Sequence, residues 1–157
     1  MTLTIMDTNI LSDLRKPKPH PALIDWLAAA QLGTLAIAAP SIVEIARGIA
    51  LLEARHSDAA TPLVAWLARI RATERILPLD AAAADLLGRM AAVPGLRNLF
   101  MTHPRAAKPQ LGGDLAIAAI ALTQAAVVAT RNVRDFGLIA GHFPQLQVVN
   151  PYAEAGR

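Results

Sequence analysis

Residues 5–14 read IMDTNILSDL and place an acid directly after an apolar run near the start of the chain. The run at residues 3–6 is typical of a short buried strand, and residues 10–14 begin a helix that a proline cluster halts. A strand that leads into a helix in this way predicts the first unit of an α/β fold. Asp7 then stands at the carboxyl end of a strand, where parallel sheets bind their ligands.

The rest of the chain continues the alternation of strands and helices. Further strands are predicted at residues 35–38, 75–79, 127–129 and 147–149. Helices are predicted at residues 21–30, 41–55, 58–73, 80–92 and 114–124. This order implies a parallel sheet of about five strands with helices on both faces, which is a three-layer α/β/α architecture.

The length of 157 residues predicts one domain, which we place at residues 1–157. Prolines and glycines predict a long loop at residues 94–113, and a tail is expected from about residue 152 to 157. Loops of this length often carry function.

The composition narrows the classes of protein that the chain can form. Its residues are 54% hydrophobic and only 4% aromatic, so the interior is built mainly from small and aliphatic side chains, which suits helices packed on a buried sheet. The chain has no cysteine, which excludes disulfides and thiolate metal sites and fits a reducing compartment. The net charge of +3 permits a polyanionic partner without requiring one.

Nothing in the sequence predicts a membrane segment. The most apolar stretch, residues 115–130, contains Thr123 and Gln124 and is shorter than the roughly 20 apolar residues that a spanning helix needs. The N-terminus lacks a basic segment, and Asp7 interrupts the place of a secretory apolar core. We therefore expect a cytoplasmic protein with no membrane partner.

The positions of the acids suggest a metal site. Asp7, Glu44 and Asp135 follow predicted strands, and Asp114 opens the helix that leads into the fourth strand. Each acid alone has a simpler explanation as a helix cap, and Ser41 with Glu44 matches a capping box. Together, however, they would crowd carboxylates at one edge of the sheet, and such crowding requires protons or a cation. Mg²⁺ or Mn²⁺ is the hard ion that oxygen ligands usually hold.

Four segments carry a resemblance to a known family. IMDTNILSDL, PSIVEIARGI, DLAIAAIAL and VVATRNVRDF occur in this order and together resemble the PIN-domain ribonucleases. The likeness is greatest to the VapC-like toxins of bacterial type II toxin-antitoxin pairs, with FitB-like proteins as near relatives. It extends from about residue 5 to residue 151, which is nearly the whole chain.

The resemblance implies a set of site residues. The family's catalytic and metal-binding acids correspond to Asp7, Glu44, Asp114 and Asp135. Asp7 and Asp114 are then expected to be the direct ligands of Mg²⁺ or Mn²⁺. Polar residues that orient these ligands correspond to Asn9, Thr130 and Asn132.

The sequence departs from the family at one point. Relatives commonly carry Ser or Thr directly before the third acid, whereas Gly112 and Gly113 stand there in this chain. The predicted loop also looks longer than is usual. Its basic residues either contact RNA phosphates or face solvent, and a solvated loop is the favoured interpretation; they are Arg97, His103, Arg105 and Lys108.

The implied function is metal-assisted hydrolysis of RNA phosphodiester bonds by the toxin of a toxin-antitoxin pair. Water is the nucleophile in this chemistry, so the preference for RNA follows from the resemblance and not from the acids. The implied partners are a VapB-like antitoxin, an RNA substrate and a second copy of the chain. The alternative is a FitB-like partner of a DNA-binding antitoxin that acts in transcriptional autoregulation, with weak or no nuclease activity.

Other classes of enzyme fit the sequence less well. A phosphatase of the haloacid dehalogenase type needs a second acid two residues after the first, and that position is Asn9. A response-regulator receiver needs an acid pair and a lysine after a late strand, which the chain lacks. Zinc catalysis needs closely spaced histidines, and we expect surface positions for His20, His56, His103 and His142.

Overall fold

The structure is a computed structural model that describes residues 2–100 and 112–153. Within these residues five strands form one sheet, and they are β1 Thr4–Met6, β2 Leu35–Ala38, β3 Ile76–Leu77, β4 Val127–Ala129 and β5 Gln147–Val149. Every pairing is parallel, and the strand order is β3-β2-β1-β4-β5. The predicted five-stranded parallel sheet is therefore confirmed, with β1 at its centre.

Helices cover the sheet on both faces. They are α1 Thr8–Leu14, α2 Pro21–Ala29, α3 Ala39–Glu53, α4 Ala60–Thr73, α5 Ala81–Ala91, α6 Arg97–Phe100, α7 Gly113–Thr123 and α8 Val133–His142, with a 3₁₀ turn at Pro94–Leu96. Neighbouring strand residues point to opposite faces. Ile5 accordingly packs with α5, α7 and α8, whereas Met6 packs with α1, α3 and α4. Two separate cores result, and they confirm the predicted three layers.

Helix α7 is the most deeply buried helix among the described residues. Seven consecutive residues, 115–121, are at most 6% exposed, and they are all Leu, Ala or Ile. A helix that is apolar on every side belongs in an interior, and alanines let its neighbours approach closely. This packing fixes the position of Asp114, which lies in the first turn of α7.

The predicted capping box at Ser41 and Glu44 is wrong. Helix α3 begins at Ala39, and its N-cap Ala38 makes no side-chain capping bond. Pro40 fits the first turn of a helix, so α3 starts two residues earlier than predicted. The Ser41 hydroxyl is buried without a hydrogen-bond partner among the described residues, and Glu44 lies in the second turn. Capping therefore does not explain Glu44.

The long loop predicted at residues 94–113 is wrong for its first part. Residues 94–100 form the 3₁₀ turn and α6, and exposed Arg97 begins that helix. Residues 101–111 lie outside the described part of the chain, and with them His103, Arg105 and Lys108. The predicted tail is wrong at its start, because Tyr152 packs on a core and residues 154–157 are not described.

Two further features complete the fold. Helix α8 was not predicted, although Asn132 caps it and its residues Phe136 and Ile139 are fully buried. None of the helices in residues 2–100 and 112–153 has the length and apolarity to cross a membrane.

Candidate active site

Asp7 stands at the carboxyl end of the central strand, and hydrogen bonds to two chain segments hold it in place. Its backbone N–H donates to the Ala129 carbonyl at the end of β4 (3.0 Å). Its side chain caps α1, where Oδ1 accepts a hydrogen bond from the Thr8 amide (2.7 Å). The residue is only 3% exposed. Asp7 is thus both a helix cap and a buried acid at the sheet edge.

The second carboxylate oxygen of Asp7 is held by two polar side chains. The buried Thr130 hydroxyl donates to Asp7 Oδ2 (2.7 Å), and Asn9 Nδ2 donates to the same oxygen. Asn9 Nδ2 also donates to Thr130 Oγ1 (3.1 Å), which closes a triangle of hydrogen bonds. The structure therefore places Asn9 and Thr130 where they fix the direction of the Asp7 carboxylate.

Asn132 links the third and fourth acids. Its Nδ2 donates to Asp114 Oδ2 (3.0 Å) and to Asp135 Oδ2 (2.9 Å). Its backbone N–H donates to Thr130 Oγ1 (2.9 Å), which connects it to the network around Asp7. One chain of hydrogen bonds thus runs from β1 to the start of α7 through residues 130–132.

The structure explains why two glycines, Gly112 and Gly113, precede Asp114. Gly112 has a φ of 64°, a left-handed conformation that favours glycine, and it is the N-cap of α7. The carboxylate of Glu44 lies against the Cα of Gly113, so that a Cβ there would overlap Glu44 Oε1. The departure from the family pattern therefore makes room for Glu44 beside the start of α7.

Burial and mutual repulsion act on these carboxyl groups. Burial raises the pKa of Asp114 to about 7, and the charges of Asp7, Glu44 and Asp135 add to the effect. Burial also raises the pKa values of Asp7 and Glu44, although the hydrogen bond from Thr130 partly offsets the shift for Asp7. In the described residues, ion pairs join only Lys16 to Asp13 and Arg89 to Asp85. No basic side chain in this part of the chain forms an ion pair with Asp7, Glu44, Asp114 or Asp135.

One cavity of about 380 Å³ collects most of these groups. Asp7, Glu44 and Asp114 line it, whereas Asp135 does not and lies one hydrogen-bonded residue away through Asn132. No three histidine or acidic side chains in residues 2–100 and 112–153 already form a metal-binding group. The cavity still suits Mg²⁺, which is usually held by one or two carboxylates and keeps several waters. The uncompensated acids thus fit a divalent ion.

Several residues of this cavity were not predicted. They are Thr8, Ser12, Asp13, Lys16 and Arg131. Asp13 is 3% exposed and lies three residues after the buried Ile10, a spacing that puts both on one helix face. This spacing, together with Lys16 three residues after Asp13, is the sequence signal that could have indicated an ion pair with a buried acid next to the site. Of the expected surface histidines, His20, His56 and His142 are exposed, and His103 is not described.

Comparisons with known proteins identify the family of this chain. The family model described as PIN domain matches residues 4–141. The VapC ribonuclease Y4jK of Sinorhizobium fredii is 28% identical over 163 residues, which cover 98% of this chain and 100% of that protein. The toxin FitB of Neisseria gonorrhoeae is 27% identical over 143 residues, which cover 85% of this chain and 91% of FitB.

A solved structure supports the same fold. The structure of FitAB bound to IR36 DNA fragment contains a chain that matches with a TM-score of 0.64 and 23% identity, covering 99% of both chains. The family match covers most of the chain, including Asp7, Glu44, Asp114 and Asp135. This chain is a member of the PIN domain family.

Proposed function

We propose that this chain is a metal-dependent endoribonuclease and the toxin of a toxin-antitoxin pair. One observation carries the proposal: Asp7, Glu44 and Asp114, which are distant in sequence, line a single cavity, and none of them forms an ion pair in the described residues. The name of the relative Y4jK, a VapC ribonuclease, supports RNA as the substrate. Nuclease chemistry also agrees with membership of the PIN domain family.

Asp7 and Asp114 would hold the ion, either Mg²⁺ or Mn²⁺. When bound, the ion supplies charge stabilisation at the phosphate and makes a nearby water more acidic. Thr130 and Asn9 donate hydrogen bonds that orient the Asp7 carboxylate and favour its ionised form. Asn132 donates hydrogen bonds to both Asp114 and Asp135, which orients the Asp114 carboxyl group and keeps Asp135 beside it.

Glu44 is our choice for the group that takes the proton from the attacking water. It lines the cavity, whereas Asp135 does not. Burial raises the pKa of Glu44, which makes its carboxylate a stronger base. Asp135 then acts mainly by adding negative charge next to Asp114.

The test is cleavage of RNA by the purified chain with Mg²⁺ or Mn²⁺. Asp7→Asn and Asp114→Asn should each lower the rate by more than about 100-fold, since losing even an orienting partner costs 10- to 100-fold. A chelator should have the same effect on the parent chain. Asp25→Asn removes an exposed acid of α2 and should leave the rate unchanged. Cleavage that survives both site substitutions and the chelator would refute the mechanism.

The proposal includes partners. A cognate antitoxin of the VapB type is expected to place an arginine or its own chain over the acidic cavity and so block the site. We also propose that the chain forms homodimers and acts in the cytoplasm, where its RNA substrate lies. Coexpression with the product of the neighbouring open reading frame should give a complex without nuclease activity. Full cleavage by a saturated complex would contradict inhibition by occupancy.

A second candidate function is supported by the FitB relative and by the FitAB complex solved on a DNA fragment. In this alternative the chain assists a DNA-binding antitoxin in autoregulation, with little or no cleavage. The two functions differ in their need for the acids. Gel-shift binding of the complex to its own promoter should be insensitive to Asp114→Asn, whereas RNA cleavage should not.

A further inference from the structure

Asp13 joins three segments of the chain next to the cavity. Its Oδ1 pairs with Lys16 Nζ (2.6 Å), and its Oδ2 accepts from the Tyr152 hydroxyl (3.0 Å) and the His20 backbone amide (3.4 Å). The hydrogen bond with Lys16 is the main cause that lowers the pKa of the Asp13 carboxyl group. Asp13 is thus an ionised group that holds Tyr152, a residue near the C-terminus, by a hydrogen bond.

Tyr152 is fixed both by packing and by hydrogen bonds. It follows β5 in a turn in which its backbone N–H donates to Asn150 Oδ1 (3.0 Å). Its ring packs against the core that includes Ile10 and Leu23. Burial and the hydrogen bond to Asp13 raise the pKa of Tyr152 to about 12, so it stays a neutral donor. The ring therefore has a defined place beside the cavity.

Arg131 lies over that ring. Its guanidinium carbon is 5.5 Å from the centroid of Tyr152, within the range of a cation–π contact. Its backbone N–H donates to Asn9 Oδ1 (3.1 Å), so both the backbone and the guanidinium of Arg131 are held in place. Arg131 follows β4 and Tyr152 follows β5, and these strands are neighbours. Sheet order thus brings the two residues together.

Among the described residues, Arg131 and Lys16 are the cations that line the acidic cavity. Lys16 is committed to Asp13, whereas no carboxylate in the described residues lies within ion-pair distance of Arg131. RNA is a polyanion that the cavity acids repel. A cation beside them favours the approach of a phosphate, and a guanidinium can bind it bidentately.

We propose that Arg131, held over the Tyr152 ring, binds a phosphate of the RNA backbone at the rim of the cavity. Tyr152 and Asp13 are positioning residues that act through Arg131. The inference rests on the proposed function, because it takes RNA as the ligand. It assigns Arg131 to binding the substrate, whereas the acids bind the metal ion.

The test measures RNA binding in a background that cannot cleave. All variants carry Asp114→Asn, a chelator is present, and the probe is a fluorescein-labelled oligouridylate, since phosphate contacts do not depend on base sequence. Arg131→Ala should weaken binding roughly tenfold. It should also reduce the slope of log affinity against log salt by about 0.7, the value for one phosphate on a single strand.

A matched control and two tyrosine variants isolate the mechanism. Arg71→Ala removes an exposed arginine of α4 and should leave the slope unchanged. Tyr152→Phe keeps the ring and should largely preserve the slope, whereas Tyr152→Leu should reduce it as Arg131→Ala does. The double variant with Tyr152→Leu and Arg131→Ala should have nearly the same slope as Arg131→Ala alone, because both substitutions remove the same phosphate contact.

Two outcomes would overturn the inference: Arg131→Ala behaving like Arg71→Ala, or Tyr152→Leu leaving the slope intact. Failure of the proposed function is seen separately. If the parent chain with Mg²⁺ cuts no RNA but its binding depends on Arg131, the nuclease proposal fails and the phosphate contact stands. If the parent cuts RNA and Arg131 does not affect binding, the reverse holds.

Discussion

At the scale of single residues, Asp114 is the group on which burial and like charges act most strongly. Its folded pKa of about 7 lies well above the ordinary value of 3.8. The folded chain therefore holds a proton at this carboxyl over a pH range in which the unfolded chain has lost it. Free energy is required to ionise Asp114 when no cation is bound.

This shift predicts how the stability of the metal-free chain depends on pH. Between about pH 4 and pH 7 the folded state binds more protons than the unfolded state, so stability falls as the pH rises. The loss is on the order of a few kcal/mol and is complete above pH 7. Asp7 and Glu44 have raised pKa values and act in the same direction.

Urea unfolding at pH 5 and pH 8 with a chelator measures the effect. The parent chain should be less stable at pH 8, Asp114→Asn should flatten the difference, and Mn²⁺ should restore stability at pH 8. Asp13 does not contribute between pH 5 and pH 8, because its pKa is lowered and it titrates at more acidic pH. Equal pH dependence in the parent and in Asp114→Asn would contradict the assignment.

Gly113 gives a second prediction at this scale. A methyl group at this position meets the carboxylate of Glu44, so Gly113→Ala should push that side chain away from Asp114. We expect Mn²⁺ affinity to fall about tenfold, within the range seen when orienting contacts are lost. Titration calorimetry measures the affinity.

The control for Gly113→Ala is Gly88→Ala. Gly88 is exposed within α5, and a Cβ there meets nothing within 4 Å. This substitution should leave Mn²⁺ affinity unchanged while improving helix propensity by up to about 1 kcal/mol. Adding Glu44→Asp to Gly113→Ala shortens the displaced side chain and should recover part of the affinity. Unchanged affinity in Gly113→Ala would show that Glu44 does not depend on this space.

The sequence was informative about site residues that follow a strand or open a helix. Asp7 and Thr130 directly follow strands and Asn132 caps α8, and such positions can be recognised from local patterns. The contact of Asp13 with Tyr152 could not be predicted, because it joins positions 139 residues apart. The place of Arg131 over Tyr152 was missed for the same reason. Local patterns locate strand ends but do not show which distant side chains meet there.

At the scale of elements, α7 is the support of the site. It carries the half-buried Asp114 in its first turn and is buried over residues 115–121. Its apolar run predicted a helix from the sequence. The start of α3 was predicted incorrectly because the Ser41 and Glu44 pattern competes with a proline that fits the first turn. Helix α8 was not predicted, although the apolar spacing of Phe136 and Ile139 is typical of a helix with one buried face.

Truncating a side chain of α7 tests its role as a support. Ile117 is fully buried, and Ile117→Ala should lower the free energy of unfolding by about 2–5 kcal/mol. Leu32→Ala alters a side chain that is 97% exposed and should change it by less than about 0.5 kcal/mol. Urea unfolding of the metal-free chain compares them. A small effect of Ile117→Ala would show that α7 is packed more loosely than the structure indicates.

At the scale of the whole molecule, strand order decides where the site forms. From central β1 the chain moves to β2 and β3 on one side, and later to β4 and β5 on the other. The direction therefore reverses between β1 and β4, and ligands of open parallel sheets bind at such a switch point. Asp7 follows β1 and Thr130 follows β4, so the acids meet at this crevice. The sequence predicted the parallel sheet, whereas the strand order required the structure.

The central claim is that Asp7 and Asp114 share a divalent ion in this crevice. Crystals grown with Mn²⁺ test it most directly, because the anomalous scattering of the ion locates it without reference to the protein. The account predicts a peak at about 2.1 Å from carboxylate oxygens of both Asp7 and Asp114. A peak bound elsewhere, or a crevice that stays free of Mn²⁺ at saturating concentration, would contradict it.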